Sequence, residues 1–190
     1  MKGIVRHIDD SLRPLGFERR GGAWNRRRGE LMDVVDLQIS KAGDAFTLDV
    51  GVAHRIAYER CWGTQLPDFV QIRECIVRSR LGDLIDGHDH WWPLDESTAG
   101  GDAAAAVSRY ALPFLQSLDS IAAIERTLSA SREVRNLRAP ETIYLAILLH
   151  LDGDADAGCS LLEKFRSKTR GDWKPRSEEL MGTLGCPKPP

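Results

Sequence analysis

The strongest constraint on the fold is an alternation of apolar and polar side chains that runs through residues 17–54. In residues 46–54 the large apolar side chains occupy every second position, and small or polar side chains lie between them. Residues 31–40 show the same period, with Asp36 and Gln38 opposite the apolar positions. Because successive side chains of a β-strand point to opposite faces of a sheet, this pattern predicts strands with one apolar and one polar face.

Short turn signals separate these segments. Gly21-Gly22 is typical of a two-residue hairpin turn, and further turns are predicted at Gly29-Glu30 and at residues 41–44. Strands joined by so few residues must run antiparallel, because a parallel return needs a crossover of about a dozen residues or more. Residues 17–54 therefore predict an antiparallel meander, to which the shorter alternation at residues 75–81 adds another strand.

Helical periodicity lies on both sides of the predicted sheet. Before it, an apolar stripe at helical spacing is formed by Ile4, Val5, Ile8, Leu12 and Leu15. Pro14 and Gly16 predict the end of that first helix. After the sheet the period becomes helical again. The predicted helices cover residues 102–118, 120–129, 140–151, 155–169 and 178–183.

Three stretches carry no clear period and are predicted to be connections. Residues 55–68 and 82–101 are interpreted as irregular, and residues 131–139 as a polar link. Asp102 is the predicted cap of the helix that follows the second stretch. Pro113 should kink that helix, because proline has no backbone N–H to donate.

These elements predict an α+β fold with an N-terminal helix, an antiparallel meander sheet of four or five strands, and C-terminal helices that include an antiparallel helix pair. The first helix and the helix over residues 103–118 should cover one face of the sheet. The other face, which carries Asp36, Gln38, Thr47 and Asp49, should stay partly solvated, as antiparallel sheets allow.

The order and spacing of several motifs are similar to those of a known family. The segments are LRPLGFERRGGAWNRR, VVDLQISK, FTLDVGV, ECIVRSRLGDL and HWWPLD, and the resemblance extends over about residues 4–118. They resemble the bacterial family called domain of unknown function 4304, whose members look like a helix ending in LKPLGF, a strand with an aromatic and basic residues, and two hydrophobic strands. The resemblance implies a fold and no activity, and the helix pair after Pro140 is not part of it.

Composition and charge limit the class of protein. Of the 190 residues, 42% are hydrophobic and 28% are charged, which is typical of a globular chain and argues against intrinsic disorder. The length suits an α+β domain over residues 1–130 with a helical extension, residues 131–190, packed on the same domain. The net charge of -2 gives no bulk attraction to a polyanion.

Targeting signals and cysteines bear on the compartment. Charged residues interrupt the first apolar positions, so we expect no signal peptide. The longest apolar stretch, residues 143–149, is far shorter than the roughly 18 residues that a membrane span needs. We therefore expect a cytoplasmic protein that does not bind membranes. Its cysteines, which should be reduced thiols and not metal ligands, are Cys61, Cys75, Cys159 and Cys186.

A basic hairpin is the sharpest local feature. Alternation places Trp24, Arg26 and Arg28 on one side of the sheet, beside a strand that carries Arg19 and Arg20. One interpretation is a surface that holds phosphates with its arginines and stacks a base on its tryptophan. The other is an exposed edge hairpin whose arginine stems cover the tryptophan. The absence of a wider basic footprint favours the second, so nucleic acid is not the expected partner.

Two histidines flank an aspartate just before a pair of tryptophans. His88 and His90 could hold a metal ion, with His54 as the one obvious third ligand. No HExxH motif or clustered His/Cys pair accompanies them, so we predict no metal site. Trp91 and Trp92 are instead expected to be buried and to close one end of the core.

Arg78 and Arg80 on the shorter predicted strand form a possible anion pocket, because guanidinium groups bind carboxylates and phosphates in bidentate geometry. The alternative is an internal ion pair with Asp95 or Glu96 that ties the tryptophan loop to the sheet.

No known catalytic signature is present: the sequence has no GxSxG, P-loop or dinucleotide-binding motif. A paired-carboxylate site is not expected either, because Asp33 and Asp36 are an odd number of residues apart and point to opposite faces. We therefore predict no catalytic residues and no cofactor.

The favoured hypothesis is a non-catalytic protein-interaction module, for example an immunity or antagonist protein that caps another protein. It rests on analogy between small α+β domains. The alternatives are a nucleic-acid or anion-binding domain that uses the basic hairpin and, least favoured, a metal-dependent enzyme centred on His88 and His90.

Overall fold

The computed structural model describes residues 1–134 and 138–187. The strands are β1 (Glu18–Arg20), β2 (Ala23–Arg28), β3 (Leu31–Ile39), β4 (Ala45–His54), β5 (Val77–Arg80) and β6 (Trp92–Pro93). They pair antiparallel in the order β1-β2-β3-β4-β5, and β6 pairs with β4 beyond the end of β5. The predicted α+β class and the antiparallel meander are confirmed, with β6 as an additional short strand.

The chain divides into two compact units. Unit 1 comprises residues 1–54 and 67–118, and unit 2 comprises residues 55–66 and the described residues from 119 onwards. The helices are α1 (Lys2–Leu12), α2 (Arg55–Trp62), α3 (Leu81–Ile85), α4 (Ala99–Ala106), α5 (Leu112–Ser117), α6 (Ile121–Val134), α7 (Ala139–Leu151), α8 (Ala155–Lys168) and α9 (Trp173–Thr183).

Strand pairing sorts the side chains of the sheet onto two faces. Val35 lies opposite Val50 on the face that packs against the helices of unit 1, which we call the covered face. Trp24 is on this face, where its indole Nε1 donates a 3.0 Å hydrogen bond to Asp9 of α1. Asp36 lies opposite Asp49 on the other face, which we call the open face. The apolar half of the alternation therefore forms the core of unit 1.

Residues 67–76 of unit 1, which precede β5, cover part of the open face. Asn25 is anchored there by two hydrogen bonds to the backbone of Val70. Gly51 allows this segment to pack closely on β4, because a Cβ at position 51 would lie only 2.9 Å from the Cβ of Cys75. The expectation that Thr47 is solvated is wrong, since this side chain is 0% exposed. What remains open is the stretch around Asp36 and Asp49 in the middle of the face.

The helical segment after the sheet begins earlier than predicted and contains a wide turn. Thr98 is at the cap position of α4, and Asp102 lies in its first turn and does not cap it. A π-helical turn, Val107–Ala111, then joins α4 to α5, in which Pro113 occupies the first turn. Because proline cannot donate a backbone hydrogen bond, the chain adjusts its turn just before this residue and continues as helix.

Two stretches interpreted as irregular contain regular structure. Helix α2 lies within residues 55–68, and its buried residues, Ala57 and Cys61, are too small to give a clear hydropathy signal. Residues 82–101 contain most of α3, all of β6 and the start of α4. Before β5 the chain forms a short 3-10 turn, Ile72–Glu74.

Unit 2 is built on α7 and α8, the predicted helix pair. Three residues connect them, and Gly153 within that turn has a φ of 101°, a left-handed conformation that favours glycine. The polar link predicted at residues 131–139 starts later than expected, because α6 continues to Val134. Residues 135–137 of that link lie outside the described residues. Among the described helices, α7 included, none is long and apolar enough to cross a membrane.

The prediction of four reduced thiols is wrong for one pair. Cys159 in α8 and Cys186 after α9 form a disulfide that closes a loop containing α9. The sequence separation of 27 residues gave no local signal for this pairing, because the two sulfur atoms meet only through the packing of α9 on α8. Cys61 and Cys75 are free and buried, as expected.

Candidate functional site

A polar pocket of about 350 Å³ lies on the open face of the sheet. Its position follows from the fold: β4 and β5 form the floor, and the 3-10 turn at Ile72–Glu74 and helix α3 contribute to the walls. The lining residues are Gln38, Asp49, Ile72, Arg78, Ser79, Arg80 and Asp83. Charged groups of both signs therefore meet at one site, which we call the polar pocket.

Two carboxylates lie side by side on the open face, and one of them, Asp49, lines the polar pocket. Asp36 on β3 is directly opposite Asp49 on β4, and both are half-buried. Burial raises the pKa of Asp36, and repulsion from the charge of Asp49 raises it further. Burial also raises the pKa of Asp49, although the guanidinium groups of Arg80 and Arg78 oppose this effect. Within the described part of the chain, the Asp36 carboxylate has no hydrogen bond and no ion pair.

Arg80 is committed to contacts within unit 1. Its Nη1 donates to both carboxylate oxygens of Asp89, at 2.7 and 2.8 Å, and its guanidinium lies 5.3 Å from the ring centroid of Trp91. Its Nε is 3.7 Å from an oxygen of Asp49. The bond from Arg80 lowers the pKa of Asp89. An internal ion pair therefore links β5 to the loop that contains Trp91. Its carboxylate belongs to Asp89, and not to Asp95 or Glu96.

Arg78 is different although it is only two residues away on the same face. Its side chain is exposed at the edge of the polar pocket, opposite Gly51 in the pairing of β4 with β5. Among the described residues no hydrogen bond or ion pair holds it. The predicted pair of arginines is thus brought to one pocket, where one guanidinium is occupied and the other is available to a ligand.

The chemistry available in the polar pocket is that of binding. Ser79 lies opposite Val50, so its side chain is on the covered face, and its hydroxyl donates to the carbonyl oxygen of Arg80. The neighbouring thiol of Cys75 is buried, which raises its pKa and keeps it protonated. Nowhere in the described ranges do three or more His, Cys, Asp or Glu side chains form a group that could hold a metal ion. Next to the opposed carboxylates of Asp36 and Asp49, the pocket offers the guanidinium of Arg78, which has no hydrogen bond or ion pair among the described residues.

The arginines of the basic hairpin are used inside unit 1. Arg26 donates to Asp33 Oδ2 from Nε at 2.9 Å and from Nη2 at 2.8 Å. Arg28 donates to both oxygens of Asp33, at 2.9 and 2.6 Å, and to the backbone carbonyls of Leu115 and Leu118. Asp33 is 0% exposed, so its charge is fully enclosed by these two guanidinium groups. Of the two arginines, Arg28 also joins the sheet to α5 and the residue that follows it.

The other residues of the hairpin also have internal partners. Trp24 is 0% exposed, which leaves no aromatic ring on which a base could stack. Arg19 donates to the carbonyl of Gly21 at 2.8 Å, and the guanidinium of Arg20 lies 4.8 Å from the ring centroid of Phe69. The arginines named here and the tryptophan of the hairpin therefore all make contacts within unit 1.

The histidine loop does not bring its predicted ligands together. The ring of His88 is exposed and contacts Asp86, whereas His90 packs against Trp92 with 4.3 Å between ring centroids. Trp92 is buried and stacks on Phe46, as expected for a residue that closes the core. The same expectation is wrong for Trp91, which is 36% exposed and donates to Asp89.

Sequence reasoning missed the carboxylate pair because it compared the wrong residues. Asp33 and Asp36 do point to opposite faces, but the relevant neighbour of Asp36 is Asp49 on the next strand. The length of the β3–β4 turn predicts this pairing. The backbone of Ser40 bonds to that of Ala45 across the turn, and Asp36 and Asp49 each lie four residues further along their strands, so they are directly opposite. A one-residue change in the turn would have removed the pair.

Comparison with known proteins gives a family and no activity. A family model described as a domain of unknown function (DUF4304) matches residues 8–117. The match runs from α1 to the end of α5, so it includes the polar pocket and the basic hairpin. No curated protein and no solved structure matches the chain.

Proposed function

The chain belongs to the family of the domain of unknown function DUF4304, whose model covers more than half of it, and we propose that it is a non-catalytic protein-binding module that uses the polar pocket. The proposed function is the one that the sequence favoured, but the proposed binding site is the polar pocket and not the basic hairpin. The basic hairpin was the candidate surface, but its guanidinium groups bind Asp33 and its tryptophan is buried. On the open face, Asp36 and Arg78 have no hydrogen bond or ion pair within the described part of the chain.

One observation carries the proposal: Asp36 and Asp49 are half-buried acids with raised pKa values at directly opposite positions. Two carboxylates so placed repel each other and are only partly hydrated, which costs free energy in the isolated protein. A cationic side chain placed between them relieves both effects. The free guanidinium of Arg78 gives the same pocket a second point of contact of opposite charge.

The partner that fits this surface is a protein with a lysine or arginine beside an acidic group. The basic side chain would bind Asp36 and Asp49, and the acidic group would bind Arg78. Such charge complementarity gives orientation and specificity. An antagonist that caps a basic surface on its target is the concrete form of this proposal, and the cytoplasmic location predicted from the sequence also stays a proposal.

The test is recovery of a stoichiometric partner from the native host with the wild-type chain as bait, followed by a comparison of charge-reversal variants. We expect Asp36→Lys and Arg78→Glu each to weaken binding by about tenfold or more, because each places like charges together. Arg27→Glu is the matched control, since Arg27 is an exposed arginine on β2 outside the pocket lining.

Three results would contradict the proposal. One is the absence of any stoichiometric partner after repeated attempts. Another is a partner that binds the Asp36 and Arg78 variants as tightly as the wild type. The third is a partner whose binding depends on Arg27 as strongly as on Arg78.

A further inference from the structure

Unit 2 contains a second pocket, independent of the polar pocket and different in character. It has a volume of about 300 Å³ and is built where α2 ends and α9 begins. Two tryptophans dominate it, so we call it the aromatic corner. Its lining residues are Cys61, Trp62, Asp172, Trp173 and Arg176.

The two indole rings form two walls of the corner. The centroids of Trp62 and Trp173 are 5.3 Å apart and the ring planes meet at 66°. Trp62 is 43% exposed, which is unusual for so large an apolar side chain, and the ring centroid of Tyr58 lies 6.3 Å from that of Trp62. The indole Nε1 of Trp62 donates a 2.6 Å hydrogen bond to the hydroxyl of Tyr144, which holds the exposed ring in one orientation.

The positive charge in the lining is already compensated. Arg176 donates from Nε to the carbonyl of Cys61 at 2.9 Å and from Nη2 to the carbonyl of Arg60. Its Nη1 donates to Glu179 at 2.5 Å. These contacts join α9 to the end of α2 and leave the guanidinium with a carboxylate partner of its own.

The negative charge in the lining is not compensated. Asp172 precedes α9 at the cap position, but its carboxylate makes no capping hydrogen bond. It is exposed, and no ion pair or side-chain hydrogen bond holds it within the described residues. Because Arg176 is paired with Glu179, Asp172 is the lining charge that has no ion pair within the described residues.

The thiol in the lining adds no charge and no reactivity. Burial raises the pKa of Cys61 to about 12, so the group is a neutral thiol at physiological pH. The corner is therefore defined by aromatic faces and one carboxylate. Anionic ligands are disfavoured by Asp172, and a purely apolar ligand would leave that charge unused.

We propose that the aromatic corner binds an organic cation of the quaternary ammonium type. The faces of tryptophan rings carry negative electrostatic potential, and two or three such faces around a cation are the usual means of recognising a trimethylammonium group. The carboxylate of Asp172 adds a direct electrostatic attraction at the rim. The same chemistry is presented by a small molecule such as choline and by a trimethylated lysine in a peptide.

The experiment is a titration of the full chain, followed through the indole N–H signals of Trp62 and Trp173 in nuclear magnetic resonance spectra. Choline and N-acetyl-trimethyllysine methylamide are the two cationic probes. The neutral carbon isostere of choline, 3,3-dimethylbutan-1-ol, is the matched control ligand. We expect a Kd of about 1 mM for the better cation, the range that ligand efficiency allows for a small ligand. The isostere should bind about tenfold more weakly, because it lacks the cation–π and charge contributions.

Variants separate the contributions of ring and charge. Asp172→Asn, at an exposed position, should weaken the cations and leave the isostere unchanged. Trp173→Leu should weaken all three ligands. Trp91→Leu is the control, because Trp91 is an exposed tryptophan of unit 1 outside the corner. A preference for choline or for trimethyllysine then identifies the source of the cation.

The proposal is overturned by any of three results. Equal affinity for choline and its isostere would show an apolar pocket with no cation recognition. Unchanged cation binding by Asp172→Asn would remove the carboxylate from the site. The absence of saturable shifts at Trp62 and Trp173 with both cations would remove the site itself.

Discussion

Asp33 and Asp36 are three residues apart on one strand, and their environments are opposite. Asp33 is 0% exposed on the covered face, where Arg26 and Arg28 donate to it through four hydrogen bonds. Asp36 is half-buried on the open face, beside another carboxylate and with no hydrogen bond or ion pair among the described residues. The carboxylate on the covered face is fully paired and stabilises the fold. The carboxylate on the open face has no ion pair among the described residues.

The difference shows which charges are available to a ligand. A buried carboxylate with two guanidinium groups has all its acceptor capacity used, so its cluster holds the fold together and offers nothing to a partner. A half-buried carboxylate beside a like charge is destabilised until something binds it. A dense run of arginines in a sequence is therefore a poor guide to a binding surface when buried acids lie opposite them in the sheet.

The largest expected effect is on the covered face. We predict that Asp33→Asn lowers the free energy of unfolding by about 3 kcal/mol, because it leaves two partly buried guanidinium groups without their counter-ion. Urea denaturation measures the change. The corresponding Asp36→Asn variant serves as the control and should not destabilise the protein. Equal losses in the two variants would contradict the contrast drawn between the two faces.

A smaller effect should separate the two arginines of the polar pocket. Arg80→Ala removes the bidentate contact with Asp89 and the packing on Trp91, so we expect it to lower the free energy of unfolding by about 1 kcal/mol. Arg78→Ala, its matched partner on the same strand, should change stability by less than about 0.5 kcal/mol. If Arg78→Ala proves the more destabilising of the two, Arg78 is a structural residue and its availability to a ligand is refuted.

The smallest expected effect is a gain in the free energy of unfolding, and not a loss. The pKa of Asp36 is raised above its ordinary value of 3.8, so the folded state binds a proton more tightly than the unfolded state does. The ionised group therefore costs stability above its folded-state pKa, and this cost disappears as the pH falls towards 3.8. Asp36→Asn should be more stable than the wild type at pH 7, and the gain should shrink with acidification. A gain that is independent of pH between neutrality and 3.8 would refute this origin.

The pattern of the sheet was predictable because it depends on local chemistry. Period-two hydropathy and short turns set the strand bounds and the antiparallel pairing, and they placed Val35, Val50 and Leu48 on the same apolar face. The same parity rule correctly separated Asp33 from Asp36. Helix α2 escaped prediction because its buried residues are small, and a hydropathy pattern detects only side chains that differ clearly in size and polarity.

The candidate sites were less predictable because they depend on which distant residues meet. The sequence identified Arg78 and Arg80 as a pair, but only the tertiary structure showed that Asp89 occupies one and leaves the other free. Likewise, the aromatic corner joins Trp62 to Trp173 across more than one hundred residues, which no local pattern encodes.

By itself, the sequence determined the alternation that makes the sheet, the order of its hairpins and the family to which the chain belongs. Only the tertiary structure decided which charges are compensated, which tryptophan is buried and which two cysteines are joined. The physical reason is range: strand and turn formation follow from neighbouring residues, whereas the state of an ionisable or aromatic side chain follows from what the rest of the fold places against it.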